Sequence, residues 1–194
     1  MIEWKLLYQY ISLYKERGGL LKKEGMVHIY TGNGKGKTTA SLGLAVRALG
    51  HNFKVYIGQF MKGQVYGELK TLEKLGVVVE RFGTNNCIIS PDHVEQIDID
   101  KAKAGYERAK EILKSGEYDL VILDEICICP FFNLLTEDQI IDLIRLKPAE
   151  TELVLTGRYA PATLLDYADL VTEMKEIKHY YNTKGLLARD GIER

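Results

Sequence analysis

The sequence predicts a three-layer α/β protein, in which helices cover both faces of a mostly parallel sheet of about six strands. After residue 25, short apolar runs alternate with helical stretches, and this alternation is typical of a parallel sheet. Several of the runs are continuously apolar, as expected for strands that are buried on both faces. A chain of 194 residues is long enough to bury such a core within one domain.

The strands are expected where the apolar runs lie, at residues 26–30, 54–60, 77–82, 120–123, 152–156 and 170–174. Helices are expected at 37–49, 67–75 and about 91–115, because glycines that can end a helix follow each of these stretches and precede a strand. The sequence from Thr136 to Gln139 is a capping-box motif that should open a further helix. Pro161 suits the first position of another helix.

Residues 1–25 are predicted to form a helical arm separate from the domain at 26–194. Apolar residues within 2–17 recur at helical spacing, and a pair of glycines follows them. Such a helix could pack on its own domain, contact a partner subunit or cover a binding site.

The charge balance excludes a global attraction to polyanions. With 26 basic and 27 acidic side chains, the net charge is −1, so neither nucleic acid nor an anionic membrane is an expected partner. The chain starts without the features of a signal peptide and has no run approaching the ~20 apolar residues that span a bilayer. Its three cysteines, Cys87, Cys127 and Cys129, are an odd number and are interpreted as reduced thiols, and Cys127 and Cys129 alternate as on a strand. A cytoplasmic protein is expected.

A glycine-rich segment, TGNGKGKTT at residues 31–39, lies between a predicted strand and a predicted helix. Its glycines let backbone amides turn toward one concavity, and the helix start adds unpaired N–H groups, which together form a nest for phosphate. Lys37 can then reach the outer phosphates, and the Thr38 hydroxyl can bind Mg²⁺. Thr31 replaces the first glycine of the usual P-loop pattern. The predicted nucleotide-binding residues here are Gly32, Asn33, Gly34, Lys35, Gly36, Lys37, Thr38 and Thr39.

Charged residues follow three other predicted strands. Asp124 and Glu125 end an apolar strand as a Walker B element does, and either could hold Mg²⁺ directly or through water, although a plain strand end has the same pattern. Arg158 follows the next strand and could pair with phosphate, or be a solvated surface arginine. Lys62 should lie at the same edge, because parallel strands end together there.

Together with QFMKG at residues 59–63, the segment TGNGKGKTT closely resembles the P-loop corrinoid adenosyltransferases. VILDE at 121–125, LTGR at 155–158 and LLDYAD at 164–169 follow in the order and spacing of that family. The resemblance covers about residues 26–194 and implies a P-loop NTPase-like fold. Some members of the family also have an N-terminal helical arm.

The resemblance implies transfer of the 5′-deoxyadenosyl group of ATP to a Co(I) corrinoid, with release of triphosphate. Lys37, Thr38 and Arg158 would be catalytic, Thr38, Asp124 and Glu125 would hold Mg²⁺, and Lys62 could contact either substrate. Reduced cobalt is itself a strong nucleophile, so the protein's tasks are to align it with the ribose C5′ and to stabilise triphosphate. A homodimer and a reducing flavoprotein partner are also implied.

One loop departs from the family pattern. Many relatives carry Gly-Phe-Thr-Trp after the third strand, where the aromatic rings help to displace the lower axial ligand of the corrinoid. This chain has Asn86 and Ile88 at roughly those positions, and Ile88 could act as an apolar wedge. We expect both residues to contact the corrinoid.

Two alternative functions are compatible with a glycine-rich loop of this kind. A P-loop ATPase or small-molecule kinase would need a positioned base or water-orienting residue and usually a lid, none of which the sequence identifies. A nucleotide-sensing regulator would report to a partner through the N-terminal helix without turnover. Triphosphate as the product would exclude both.

Overall fold

The computed structural model describes residues 24–64, 66–86 and 88–193. The helix expected within residues 2–17 lies outside the described residues, as does Cys87. The division into an arm and a domain therefore stays a prediction.

The described chain forms a single six-stranded sheet. Its strands are β1 Val27–Thr31, β2 Val55–Phe60, β3 Val78–Phe82, β4 Leu120–Asp124, β5 Glu152–Thr156 and β6 Leu170–Glu173. They lie in the order β3-β2-β4-β5-β1-β6, and every neighbouring pair is parallel. All carboxyl ends therefore meet at one edge, with β5 between β1 and β4. The predicted fold class is confirmed.

Within the described residues, six α-helices accompany the strands. They are α1 Lys37–Leu49, α2 Gly67–Lys74, α3 Gln96–Ser115, α4 Glu137–Leu146, α5 Ala162–Leu165 and α6 Tyr180–Lys184, and short 3-10 turns lie at Pro91–His93 and Ile126–Ile128. The capping box that opens α4 is confirmed, since the Gln139 amide donates to Thr136 Oγ1 at 3.2 Å and the Thr136 amide to Gln139 Oε1 at 2.8 Å.

Two sequence expectations are wrong in detail. The long helix does not run from residue 91, because the chain is extended at Val94 and Glu95 before α3 begins. Glu95 and Asp98 form a second capping box there, and this exchange of side-chain and backbone bonds fixes the start of α3. Cys127 and Cys129 do not alternate along a strand, because a 3-10 turn follows β4; both thiols are free and buried, which raises their pKa.

Side chains alternate along the central strands between two apolar layers. In β4, Val121 and Leu123 pack in the cluster that contains residues of α3 and α4. Leu120 and Ile122 pack in the opposite cluster, with residues of α1 and α2. Both faces of the sheet are therefore covered, which explains why the central strands read as continuous apolar runs.

The carboxyl edge of the sheet carries strained backbone. Met61 after β2, Glu125 after β4 and Tyr159 in the loop after β5 all have positive φ, at 57°, 61° and 54°. Left-handed conformations at non-glycine residues each cost roughly 1–3 kcal/mol and cluster at functional sites. Their position at one edge identifies where the candidate site should be sought.

Candidate functional site

The glycine-rich loop connects β1 to α1 and is seated against the backbone that follows β6. Gly32 has φ 95°, and a Cβ atom there would lie 2.4 Å from the Met174 carbonyl oxygen, so only glycine fits. The Gly34 amide donates to that same carbonyl at 2.7 Å. Asn33 also faces the chain after β6, because its Oδ1 accepts the Glu176 amide at 3.2 Å.

This seating corrects the expectation that successive loop amides face one concavity, because the Gly34 amide is already bonded to Met174. The amides at the start of α1 remain available for an anion. The first bond of that helix runs from the Ala40 amide to the Gly36 carbonyl at 2.8 Å, and the N–H groups that precede it have no partner within the helix. Such N–H groups form an anion site, which here begins near Lys37.

Lys37 is buried and spans the loop. Its Nζ donates to the carbonyl oxygens of Gly32 at 2.7 Å and Gly34 at 2.8 Å, and the residue is 6% exposed. Burial lowers its pKa, and the nearby cations Arg158 and Lys62 add to that effect. The ammonium is already desolvated and fixed in place. An arriving anion can therefore interact with its positive charge without reorganising the loop.

Thr38, Lys62 and Asp124 meet between α1 and the ends of β2 and β4. Thr38 Oγ1 donates to Asp124 Oδ1 at 2.9 Å. Lys62 Nζ donates to Asp124 Oδ2 at 2.6 Å and to Thr38 Oγ1 at 3.2 Å. Burial opposes the charge on Lys62, but the carboxylate of fully buried Asp124 outweighs it and holds the pKa of Lys62 above its usual value. The structure thus brings together three residues that the sequence placed at one edge.

Two buried residues that sequence patterns did not mark as site residues also bond to Asp124. Thr156 Oγ1 donates to Asp124 Oδ1 at 2.7 Å and accepts the Glu125 amide at 2.9 Å. Gln59 Nε2 approaches Asp124 Oδ2 at 3.4 Å. Both residues are fully buried. A polar residue inside an otherwise apolar strand was the available signal, because such a side chain must find a partner.

A cavity of about 870 Å³ opens beside the loop. Of the predicted site residues, 34–39, Lys62, Glu125 and Arg158 line it. Gly32 and Asn33 do not, because they face the chain after β6. The volume lies within the roughly 300–1,000 Å³ of small-molecule sites. The arrangement can therefore receive a phosphate-bearing small molecule.

The two residues predicted to contact a corrinoid lie apart from this cavity. Asn86 is exposed, and Ile88 is half-buried against the cluster that contains α3 and α4. Neither lines the cavity. Their predicted role stays untested by this geometry.

The C-terminal segment, residues 179–193, folds back onto the loop. Lys35 Nζ donates to Glu193 Oε1 at 2.7 Å and to the Tyr180 hydroxyl at 2.9 Å. Arg189 Nη2 also pairs with Glu193 at 3.2 Å. Arg189 foremost, then Lys35 and Tyr180, hold the pKa of Glu193 well below its usual range. Lys35, which was expected to bind nucleotide, is thus engaged by the C-terminal segment.

The oxygen donors of this site fit Mg²⁺. A hydroxyl from Thr38 and carboxylates from Asp124 and Glu125 are hard ligands, and Mg²⁺ commonly takes one or two protein carboxylates together with phosphates and water. Burial, and next the charge of Asp124, raise the pKa of Glu125, so a bound cation would favour the charged form of Glu125. Among the described residues, no group of three or more His, Cys, Asp or Glu could hold a metal alone.

A fully parallel sheet, a glycine-rich loop between β1 and α1, and an acidic strand end beside it define a protein of the P-loop NTPase-like class. Within that class, the chain belongs to the ATP:corrinoid adenosyltransferase BtuR/CobO/CobP family, whose sequence model matches residues 23–194. The resemblance drawn from the motifs is confirmed.

Individual relatives agree with the family match. The chain is 34% identical to the corrinoid adenosyltransferase of Pseudomonas aeruginosa over 172 residues, which is 88% of this chain and 84% of the relative. It is 32% identical to the corrinoid adenosyltransferase of Escherichia coli over 172 residues, 88% of this chain and 86% of the relative. Corrinoid adenosyltransferase CobA of Salmonella typhimurium is 32% identical over 173 residues, 89% of this chain and 87% of the relative.

Within the part of the chain that the structure describes, no helix combines the length and the apolar character needed to cross a membrane.

Proposed function

We propose that this chain transfers the 5′-deoxyadenosyl group of ATP to the cobalt of a reduced corrinoid and releases triphosphate. Family membership supports this reaction. The observation that carries it at the site is the buried Lys37 ammonium, held at the head of α1 on the wall of a cavity of about 870 Å³. A buried ammonium in this position suits a triphosphate leaving group, because it would stabilise the negative charge of the triphosphate.

The reaction needs no protein base. The electron pair of Co(I) forms the bond to the ribose C5′, and the bond from C5′ to the triphosphate oxygen breaks, so that its electron pair leaves with the triphosphate. No proton moves in this step. The protein's work is to align cobalt with C5′ and to stabilise the negative charge of the leaving group.

The proposed roles follow from position. Lys37 and Arg158 contact the phosphates, and the free amides at the start of α1 donate to them. Thr38, Asp124 and Glu125 would hold Mg²⁺, which when bound neutralises part of the triphosphate charge. The fixed positions of these groups, rather than any movement, would provide the stabilisation.

The corrinoid side of the proposal rests on the loop after β3, where Asn86 and Ile88 take the positions that are aromatic in many relatives. Ile88 packs against the core on one side, and this packing would hold its side chain in place against a corrinoid. We also propose a homodimer in the cytoplasm, served by a reducing flavoprotein that delivers the electron needed to form Co(I).

The direct test incubates the protein with ATP, Mg²⁺ and chemically reduced cobalamin, follows the cobalt absorbance and identifies the phosphate product. Lys37→Ala should abolish transfer because the leaving group loses its counter-charge. Lys114→Ala is the matched control, since Lys114 is exposed near the end of α3 and should leave the rate unchanged. Near-normal transfer by Lys37→Ala would reject the assignment.

The phosphate product separates the proposal from its competitors. Triphosphate supports adenosyl transfer. ADP and phosphate would instead indicate a phosphoryl-transfer enzyme, and ATP binding without turnover would indicate a nucleotide sensor.

A further inference from the structure

Lys62 is bonded to side chains that are proposed to hold Mg²⁺. Its ammonium bonds Asp124 Oδ2 at 2.6 Å and Thr38 Oγ1 at 3.2 Å, and these side chains are two of the three proposed metal ligands. The side chain of Lys62 is only 16% exposed, and Asp124 is fully buried. The ammonium thus supplies the positive charge that this buried carboxylate requires.

Beside this ion pair lies a buried acceptor without a partner. Gln59 is fully buried, and its Oε1 is the one buried side-chain polar atom in the described part of the chain that has no hydrogen bond. Its Nε2 points to Asp124 Oδ2 at 3.4 Å. The opposite amide orientation would place two oxygens against each other, so the orientation with Oε1 free is the favoured one. An orphaned buried acceptor is costly unless another state of the molecule uses it.

We propose that Lys62 is an internal cation that a divalent metal displaces, and that Gln59 Oε1 accepts the displaced ammonium. This inference rests on the proposed function only in taking Thr38 and Asp124 as metal ligands. A divalent metal and an ammonium held by the same buried carboxylate would repel each other strongly, and this repulsion favours exchange over joint binding. A buried ammonium also cannot move to a site that lacks an acceptor.

Lys62 Nζ and Gln59 Nε2 approach the same carboxylate oxygen, so the ammonium and the amide group are neighbours. Lys62 also lines the cavity, so the displaced ammonium stays near an incoming phosphate chain. Asp124 is paired with a cation both before and after the exchange, so its charge is never left buried alone.

The test measures Mn²⁺ binding to the protein without nucleotide or corrinoid, by the electron paramagnetic resonance signal of free Mn²⁺. Wild-type protein must break the Lys62–Asp124 bond to bind the metal, whereas Lys62→Met need not. Removing a charge-assisted hydrogen bond from the starting state should tighten Mn²⁺ binding by about tenfold or more. Lys114→Met is the control and should bind as wild type does. Equal or weaker binding by Lys62→Met would overturn the exchange.

Gln59 is tested by a double-mutant cycle with Lys62. Gln59→Leu should weaken Mn²⁺ binding in the wild-type background, because the displaced ammonium loses its acceptor. It should have no effect in the Lys62→Met background. Equal weakening in both backgrounds would show that Gln59 serves the metal's own water ligands, and would overturn its proposed part.

Lys62→Met leaves Asp124 without a cation, so a second variant guards against a folding defect. Lys62→Gln keeps a donor without the charge, and it should also bind Mn²⁺ more tightly than wild type, by less than Lys62→Met does. Tightening in neither variant overturns the proposal. Because neither ATP nor corrinoid is present, such a failure leaves the adenosyl-transfer assignment intact, and a failed transfer assay leaves the Mn²⁺ result intact.

Discussion

Thr156 offers the sharpest test of how the site is held together. Its hydroxyl lies between Asp124 Oδ1 at 2.7 Å and the amide of Glu125 at 2.9 Å, and it is fully buried. Thr156→Val preserves the shape of the side chain and removes both hydrogen bonds. The buried carboxylate loses one donor, and the strained left-handed Glu125 loses the acceptor of its amide.

The expected loss is substantial. A hydrogen bond to a buried charge contributes about 1.5–3 kcal/mol, and an unsatisfied buried amide costs about 1–3 kcal/mol. Because the two effects share one hydroxyl and are not additive, we expect the free energy of unfolding to fall by about 2–4 kcal/mol. For a chain of this length that corresponds to a melting temperature lower by roughly 5–15 °C. Circular dichroism melts, repeated with Mg²⁺ and ATP, would measure it.

Thr151→Val is the matched control. Thr151 is also buried, and its hydroxyl donates to the Tyr118 carbonyl at 2.9 Å, just before β5 begins and away from the site. Losing this one neutral bond should cost about 1 kcal/mol. Stabilisation by Mg²⁺ and ATP should be smaller in Thr156→Val and unchanged in Thr151→Val. Equal melting temperatures for the two variants, with equal stabilisation by ligand, would refute the role of Thr156.

Three further predictions concern the loop, the corrinoid side and the C-terminal segment. Thr38→Ala should need about tenfold more Mg²⁺ for half-maximal activity because a metal ligand is lost, whereas Thr38→Ser should not; an unchanged metal titration would contradict this. Ile88→Ala should slow transfer from Co(II) corrinoid plus reductant more than from pre-reduced Co(I), and equal effects would remove Ile88 from activation. Glu193→Gln should speed hydrogen exchange in α6, because the bonds from Arg189 and Lys35 to the carboxylate weaken. The pKa of Glu193 is depressed in the folded chain, so this contribution is present above the ordinary glutamate pKa and is lost only as pH falls toward the depressed value. The difference in α6 protection between wild type and Glu193→Gln, corrected for intrinsic exchange, should therefore hold from about pH 8 to pH 5, and a marked loss of that difference within the range would contradict the sign.

Local patterns predicted the elements that depend on nearby residues. The apolar run that forms β4 and the capping box at Thr136 each consist of residues close together in the chain. Both can therefore be predicted without knowing the fold. The glycine-rich loop was recognisable for the same reason. By contrast, Glu193 meets Lys35 across 158 positions. No local pattern encodes that contact.

Thr156 and Gln59 were not identified from the sequence for the same reason, because their contacts join residues that are distant in the chain. Thr156 reaches Asp124 only because β5 lies between β1 and β4. The order of strands in a sheet cannot be predicted from any single segment of the sequence. The amide of Gly34 was expected to face a ligand, but it bonds Met174 because β6 pairs with β1 on its other side. The sequence predicted several residues that line the cavity, among them Lys37, Lys62 and Arg158, and the strand order decided how their surroundings are held.

The seat of the loop on Met174 links two processes that are usually separate. β6 is the outermost strand on its side and all four of its residues are exposed, and such margins are the first part of a sheet to fray. The Met174 amide donates to the Thr31 carbonyl, and the Met174 carbonyl accepts the Gly34 amide. Fraying of β6 would therefore also release the glycine-rich loop that is proposed to bind phosphate. Escape of the nucleotide and the earliest opening of the sheet should then be a single event, and a bound nucleotide should slow exchange along β6 although that strand does not line the cavity.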